Sequence, residues 1–292
     1  MRIAVGGSSG LIGQALVRAL RHRGDEVVRL VRRPPREPGE REWDPGAGAI
    51  SEAGLTDVDA VVNLAGAGIA DRRWNAARRQ LLLTSRLETT RTVVSALATS
   101  DRCRVFLSGS AVGFYGDRGE DELTEADRQG EGFLADLVGR WEDASRTDDV
   151  RVVQLRTGIV LAAEGGMLDR QLPLFRIGAG GRLGDGRQWM PWISLRDTVA
   201  AQLHLLEADL SGPVNLTGPQ PVRNADFTAA LGKAVHRPTL VPTPTVGLDL
   251  VLGPQLVREA LFASQRVLPA RLVESGFTHL DTDLAATLRT LV

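Results

Sequence analysis

The first thirteen residues constrain the fold of this chain more than any other stretch. Residues 2–5 are a short apolar run of the kind that forms a buried parallel strand. Gly7, Gly10 and Gly13 follow in the spacing Gly-x-x-Gly-x-x-Gly, and a helical pattern comes directly after them. A strand, a glycine loop and a helix in this order are typical of a dinucleotide-binding fingerprint. The alternative is a tight strand–helix turn that binds no ligand.

Each glycine of the loop has its own physical role in such a fingerprint. Gly7 permits the tight turn, Gly10 lets the backbone approach a pyrophosphate, and Gly13 lets the helix pack close to the strand. The helix N-terminus adds free N–H groups and a partial positive charge. We therefore expect a dinucleotide to be bound by the loop residues Gly7, Ser9, Gly10, Leu11, Ile12 and Gly13.

Composition excludes several other classes of protein. A formal charge of -1 gives no global attraction to nucleic acid or to an anionic membrane, and no stretch approaches ~18 uninterrupted apolar residues. One cysteine, Cys103, excludes an internal disulfide and fits a reducing compartment. The four histidines are scattered without ligand spacing, so no metal site is expected. Because the chain enters a strand at once, we expect no signal segment and a cytoplasmic location.

Beyond the loop, apolar runs alternate with helical patterns, which predicts βαβ units and a parallel sheet. Further strands are expected at 25–31, 57–64, 104–107, 150–155 and 213–216, with a short one near Trp43 inside an otherwise loop-like 34–50. Helices are expected at 74–98, 132–146, 168–175, 196–208, 224–235 (capped by Asn224), 255–263 and 281–291. The acidic segment 117–129 reads as a loop, and the aromatic segment 188–193 is expected to line or cover a cleft.

These elements predict an α/β fold, a Rossmann-type doubly wound parallel sheet with a small, mainly helical C-terminal region on the substrate side. The predicted dinucleotide-binding domain covers residues 1–237, of which 162–237 include substrate-side segments. A proline-rich link at 238–244 opens a small helical C-terminal domain, residues 238–292.

The end of the second strand predicts which dinucleotide is bound. An acidic residue there would hold the ribose 2′-OH of NAD, but this strand ends in Val31, Arg32 and Arg33. An arginine suits a 2′-phosphate through charge-assisted bidentate contacts, which favours NADP over NAD. We expect at least one of the two arginines to face the cofactor; the alternative is that one or both only solvate the strand end.

Several motifs, in this order, resemble the extended short-chain dehydrogenase/reductase superfamily, which includes sugar-nucleotide epimerases. They are the glycine loop, Asn63-Leu64-Ala65-Gly66, Ser110 with Tyr115-Gly116, and Trp192-Ile193-Ser194-Leu195-Arg196-Asp197. The chain is more similar to an atypical, epimerase-like branch with a small C-terminal domain of unknown function. The motifs of that branch are Ser-Gly-Ser-Ala-x-Gly-x-Tyr-Gly at 108–116, Trp141-Glu142, and Arg-Thr-Gly-Ile-Val-Leu at 156–161.

The resemblance implies NADP as the cofactor and names further residues that would bind it. Beside the glycine loop these are Val31, Arg32, Leu64, Ala65, Arg86 and the backbone near Ile159. Gly66 joins them because small residues after the third predicted buried strand let a cofactor lie against the backbone. For Arg86 an ordinary surface position is the alternative.

Residue counts alone decide one point about catalysis. Typical members of the superfamily use Tyr-x-x-x-Lys, but this chain has one tyrosine, Tyr115, and one lysine, Lys233, so the motif is absent. Phe133 and Leu137 are expected at its positions. The remaining candidate catalytic residues are Ser110 and Tyr115; Tyr115 is alternatively a wall of the substrate pocket, and the spacing does not separate Ser110 from Ser108.

Two functions fit these residues. One is an NADP-dependent oxidoreductase or epimerase-like enzyme with a rebuilt acid–base set, acting on a small-molecule substrate such as a nucleotide sugar or another carbonyl compound. The other is a non-catalytic NADP(H)-binding sensor or scaffold. The absent Tyr-x-x-x-Lys favours the second function, and the serine loop with the aromatic segment favours the first.

Overall fold

A parallel sheet forms the centre of the protein in a computed structural model that describes residues 1–51 and 54–292. The strands in chain order are β1 (Arg2–Gly6), β2 (Glu26–Val31), β3 (Glu40–Asp44), β4 (Ala49–Ile50), β5 (Ala60–Asn63), β6 (Val105–Ala111), β7 (Glu122–Leu123), β8 (Arg151–Thr157), β9 (Ile159–Leu161), β10 (Trp189–Met190), β11 (Trp192–Ser194), β12 (Gly212–Leu216), β13 (Val222–Arg223) and β14 (Arg266–Val267). Eight of them form the main sheet in the order β12-β8-β6-β5-β1-β2-β3-β4. Every pair is parallel except β3 with β4, so the predicted Rossmann-type sheet is confirmed.

Helices connect the strands and cover both faces of the sheet. In chain order they are α1 (Leu11–Arg23), α2 (Ala76–Leu97), α3 (Phe133–Ala144), α4 (Gly166–Arg176), α5 (Leu195–Glu207), α6 (Asn224–Ala234), α7 (Thr245–Leu252), α8 (Pro254–Leu256, continued by a π-helical turn at Val257–Leu261), α9 (Ala270–Glu274) and α10 (Leu284–Leu291). Because strand side chains alternate between faces, Ile3 and Val5 pack with α1 and α5, whereas Ala4 packs on the α2 side. The sheet is therefore wound on both faces.

The last 55 residues of the chain pack into the main domain at several places. β14 pairs with β7 in parallel, and Leu256 of α8 is buried against α2 and α3. Leu284 and Leu288 of α10 share an apolar cluster with α4 and α6. The C-terminal segment thus shares apolar clusters with helices of the main domain.

The free side of the edge strand β12 is covered by side chains. Arg271 donates to the carbonyl oxygens of Ser211 and Pro213 over 2.7 Å each. The backbone N–H of Asn215 donates to the Glu125 carboxylate over 2.9 Å. These contacts satisfy backbone groups that a neighbouring strand would otherwise pair with.

Three local predictions are wrong. Arg223, not Asn224, is the N-cap of α6, because the Asn224 amide oxygen accepts from the Leu183 backbone instead. The acidic segment is not entirely a loop, since β7 lies within it. Trp192 does not line a cleft: as part of β11 it is 1% exposed and packs among the side chains of α4 and α6.

Candidate functional site

The glycine loop lies where β1 meets β5, the point at which the strand order of the sheet reverses. Gly7 has a φ of 75°, and a Cβ built on it would lie 2.7 Å from the carbonyl carbon of Leu64. Its carbonyl oxygen accepts from the Gly10 amide over 3.0 Å and leaves no room for a Cβ on Gly13. Glycine is therefore required at both Gly7 and Gly13, as the strand–loop–helix pattern predicts.

Gly10 differs, because the space above it is open. Of the residues that the structure describes, a Cβ on Gly10 would meet only the Gly7 carbonyl oxygen, at an ordinary contact distance of 3.5 Å. Gly10 is also the N-cap of α1 and offers no capping side chain. The N–H groups of the first helical turn and their partial positive charge are therefore available to an anion at this point.

A groove of about 400 Å³ opens over this loop. It is lined by Gly7, Gly10, Leu11, Ile12, Gly13, Leu64, Ile159, Val160, Gly166 and Met167. The fold thus brings most of the predicted loop residues together with Leu64 and Ile159, which lie far apart in the sequence. Ser9, Val31, Arg32, Arg33, Ala65, Gly66 and Arg86 are predicted cofactor residues that lie outside this lining.

The two arginines at the end of β2 have different surroundings. Arg32 is exposed, and the part of the chain that the structure describes places no carboxylate within ion-pair distance of it. Arg33 donates to both oxygens of Glu40 over 2.7 and 2.8 Å and to the carbonyl of Pro34. The hydrogen bond from Arg33 and that from the Arg36 amide lower the pKa of the Glu40 carboxyl to about 2.

Arg86 is buried, so the alternative of an ordinary surface position is wrong. Its guanidinium donates to the Leu82 carbonyl over 2.9 Å and lies 5.1 Å from the centre of the Trp141 ring. Burial first, and the charge of Arg78 second, lower its pKa to about 10. Gly66 packs directly against the Arg86 side chain, which places this cation beside the segment that follows β5.

Ser110 belongs to a buried hydrogen-bonded network beneath α3. Its hydroxyl donates to Glu142 over 2.6 Å, and Arg156 donates to both oxygens of the same carboxylate over 2.8 and 2.9 Å. Arg156 also donates to the Tyr115 hydroxyl over 3.0 Å, which in turn donates to Asn215 over 2.7 Å. The two predicted catalytic residues are therefore joined through one buried ion pair.

Tyr115 is fully buried within this network. Burial raises the pKa of its phenol to about 12, against the opposing effect of the neighbouring Arg156. The ring lies edge-on to Phe114, and the hydroxyl donates its hydrogen bond to the side-chain oxygen of Asn215. A phenol in these surroundings gives up a proton less readily than one in water.

Ser108 and Ser110, which the sequence does not separate, have different partners. Ser108 is fully buried, and among the described residues its hydroxyl meets only the adjacent Gly109 carbonyl, at 3.5 Å. Ser110 holds the charged Glu142. Ser110 is therefore the serine with a chemically distinctive environment.

A second cavity, of about 440 Å³, lies between α3 and strands β8 and β12. It is lined by Phe114, Gln129, Gly139, Glu142, Asp143, Arg146, Gln154, Arg156, Gly212 and Pro213. Glu142 and Arg156 form its buried floor, so the Ser110 network borders this cavity. Glu142 and Arg156 both belong to sequence motifs, but the motifs alone give neither of them a role. Asn215 and Glu40 belong to no motif, so no sequence signal indicates them.

The helix that would carry Tyr-x-x-x-Lys has an apolar surface at those positions. Phe133 lies edge-on to Trp74, with ring centres 5.1 Å apart, and Leu137 is buried in the same cluster. Neither side chain can hold or move a proton. Within residues 1–51 and 54–292, no group of three or more His, Cys, Asp or Glu side chains is placed to bind a metal ion. The same residues contain no helix long and apolar enough to cross a membrane.

Comparison with known families gives two matches that together span most of the chain. Residues 3–216 match the NAD dependent epimerase/dehydratase family. Residues 243–291 match a domain of unknown function, DUF1731. An epimerase family protein of Mycobacterium bovis is 48% identical over 279 residues, which cover 94% of this chain and 92% of that protein.

Two solved structures are similar to this chain over nearly its whole length. The crystal structure of human epimerase family protein SDR39U1 (isoform 2) with NADPH has a TM-score of 0.93 and 35% identity, covering 100% of this chain and 99% of that one. The nucleoside-diphosphate sugar epimerase of Corynebacterium glutamicum has a TM-score of 0.80 and 35% identity, covering 99% of this chain and 57% of that one.

Proposed function

Since this chain belongs to the NAD dependent epimerase/dehydratase family, we propose that it binds NADP(H) in the groove over the glycine loop and is an oxidoreductase of that family. The observation that carries the proposal is the open space above Gly10 at the uncapped N-terminus of α1. A similar chain, human SDR39U1, has been crystallised with NADPH. The bound dinucleotide would supply or accept a hydride.

The residues around the groove would divide the binding of NADP(H) between them. The first turn of α1 would hold the pyrophosphate through backbone N–H groups, because no side chain competes for them. Arg32 would meet the 2′-phosphate at the end of β2, and Arg86 would add a second positive charge beside Gly66. Leu64, Ala65 and the backbone near Ile159 would form the walls.

The test of this proposal is the substitution Gly10→Val. A Cβ at this position meets the Gly7 carbonyl oxygen at an ordinary contact distance of 3.5 Å, so the fold should tolerate it, but the valine side chain would occupy the place proposed for the pyrophosphate. We expect NADPH binding, followed by fluorescence titration, to be lost while the far-UV circular dichroism spectrum is retained. Gly247→Val in α7, where a Cβ meets nothing within 4 Å, is the matched control. A Gly10→Val protein with unchanged NADPH affinity would contradict the proposed NADP(H) site over the glycine loop.

The reaction itself we propose to be hydride transfer to or from a small carbonyl or alcohol, by a route that does not use Tyr-x-x-x-Lys. Ser110 is the group with a partner suited to proton chemistry, because its hydroxyl is bound to the Glu142 carboxylate. General acid–base catalysis typically accelerates a reaction ~10²–10⁴-fold. Because the usual Tyr-x-x-x-Lys pair is absent, we expect turnover on common nucleotide sugars and short secondary alcohols to be slow. The cytoplasm is the compartment that we propose.

A second candidate function, a non-catalytic NADP(H) sensor or scaffold, is favoured by one observation. The helix positions of the usual acid–base pair are held by Phe133 and Leu137, both packed in an apolar cluster. NADPH oxidation with a panel of carbonyl compounds and nucleotide sugars separates the two candidates. If turnover is found, Ser110→Ala and Tyr115→Phe should each lower it without changing NADPH affinity; no turnover with tight NADPH binding favours the sensor.

A further inference from the structure

We propose that Glu40 is a specificity-determining residue, which holds Arg33 away from the cofactor's 2′-phosphate and leaves Arg32 to bind it. This inference rests on the proposed NADP(H) site. It concerns a side chain on β3 that belongs to no motif of the sequence. It predicts that the preference for NADPH over NADH is set by a competition for one guanidinium.

The contact between Arg33 and Glu40 is of the strongest kind that an arginine makes. Two parallel hydrogen bonds, of 2.7 and 2.8 Å, join the guanidinium to the two carboxylate oxygens. The Glu40 side chain is fully buried, whereas that of Arg33 is 38% exposed. Bidentate, charge-assisted pairs fix geometry as well as charge. The Arg33 guanidinium is therefore already paired with β3 before a cofactor binds.

Glu40 is itself held in place by two further donors. In the parallel register of β2 and β3 it is the partner of Arg29, which donates to it over 2.8 Å. The backbone amide of Arg36 donates over 2.7 Å. Because the carboxylate would stay paired with Arg29, releasing Arg33 from it does not leave an isolated buried charge. Arg33→Ala therefore removes one partner of the buried carboxylate and keeps the Arg29 side chain and the Arg36 amide in place.

Arg32 stands in contrast to its neighbour. It is exposed and directly follows β2, where a ribose 2′ substituent lies in folds of this kind. In the described part of the chain it has no carboxylate partner. Two adjacent arginines therefore present one available charge rather than two.

The experiment measures NADPH and NADH affinities of the full chain by fluorescence titration at fixed moderate salt. Arg32→Ala should lower the NADPH preference about tenfold or more, the loss expected for one charge-assisted contact. Arg33→Ala should leave the preference within about twofold of the unmutated value, since Arg33 contributes no contact of this kind. Glu40→Gln, which frees Arg33, should raise the preference about tenfold.

Two further variants make the result specific. The double variant Glu40→Gln, Arg33→Ala should return to the unmutated preference, because the freed guanidinium is gone. Glu37→Gln is the matched control, because it removes an equal charge from a 65% exposed carboxylate that pairs with Arg29. It leaves the hydrogen bonds between Arg33 and Glu40 intact. We expect it to change the preference little.

The proposal is overturned if Arg33→Ala lowers the NADPH preference as much as Arg32→Ala does, or if Glu40→Gln leaves the preference unchanged or lower. Should Glu40→Gln fail to fold, as judged by circular dichroism, Arg33→Ala still tests the proposal, because an Arg33 that already bound the 2′-phosphate would lose NADPH preference when it is removed. An unmutated protein that binds NADH as tightly as NADPH contradicts the proposed NADP(H) function instead. Failure of the site and failure of the inference are thereby distinguished.

Discussion

At the scale of single residues, Tyr115 offers a direct test of the buried network, because it is the one tyrosine of the chain. Burial raises its pKa from the usual 10 to about 12. Absorbance at 295 nm should therefore show no phenolate in the folded protein near pH 10 and should rise only toward pH 12. In concentrated guanidinium chloride the same residue should titrate near its ordinary value of about 10.

The same pKa shift has a consequence for stability. Because burial disfavours the phenolate, the stability that this residue contributes is fully present below pH 10 and is lost as the pH rises through 12. The unmutated protein should lose stability over that interval, whereas Tyr115→Phe, which has no phenol to ionise, should lack this loss. A phenolate signal at pH 10 in the folded protein would contradict the buried position of this side chain.

The structural role of a residue was predictable where the local backbone conformation requires that residue type. It was not predictable where the role depends on side chains that come from distant parts of the chain. Gly7 and Gly13 follow from the turn and the helix packing alone, and the structure shows the close contacts that require them. Arg86 reads equally as a surface residue in the sequence, because its burial depends on Trp141, far along the chain. The Glu40–Arg33 pair is likewise a product of strand register, which no local pattern reveals.

At the scale of elements, α3 receives its N-terminal cap from another part of the chain. Its N-cap, Gly132, has no side chain, and Glu259 beyond α8 instead accepts from the Leu134 amide over 2.9 Å. A carboxylate at a helix N-terminus also interacts favourably with the helix dipole. Gln255 donates to the other oxygen of Glu259 and keeps it in position.

We expect Glu259→Ala to lower the free energy of unfolding by about 0.5–2 kcal/mol, the usual loss for a removed N-cap. Glu259→Gln keeps an acceptor but loses the charge, so its loss should be smaller. Urea unfolding monitored by circular dichroism measures both. Equal stability of all three proteins would show that the carboxylate does not cap the helix in solution.

The alternation of strands and helices was predictable because apolar periodicity is a local property. The sequence placed β1 and α2 within a few residues of their observed ends. The short strands β7 and β14 were missed, because two-residue strands have no period to detect and form only when distant segments meet. The Asn224 cap failed for a similar reason, since Leu183 uses that amide.

At the scale of the whole molecule, the C-terminal segment is not an independent attachment in its packing. It contributes a buried side chain to each of four apolar clusters, namely Leu272, Leu284 with Leu288, Leu256 and Val267. Gln265 also donates to the carbonyls of Val112 and Gly116, which hold the turn that carries Tyr115. The core therefore has no clean division near residue 238.

From this shared packing we expect the full chain to unfold in one cooperative transition. Differential scanning calorimetry should give a calorimetric enthalpy equal to the van't Hoff enthalpy. A chain lacking residues 238–292 should bind a hydrophobic dye and lose its near-UV circular dichroism. Two separate transitions in the full chain, or a compact and cooperative truncated chain, would contradict the expectation.

The side chains along β12 limit how copies of this protein can associate. Exposed sheet edges recruit strands from other chains and begin ordered aggregation. Here Arg271 and Glu125 already take up the outward carbonyl and amide groups, and Pro213 has no N–H to offer. A second molecule cannot lengthen the sheet from this side without first removing those contacts. Strand addition at this edge therefore needs α9, which carries Arg271, to detach first, so β12 is protected for as long as the native packing of α9 is kept.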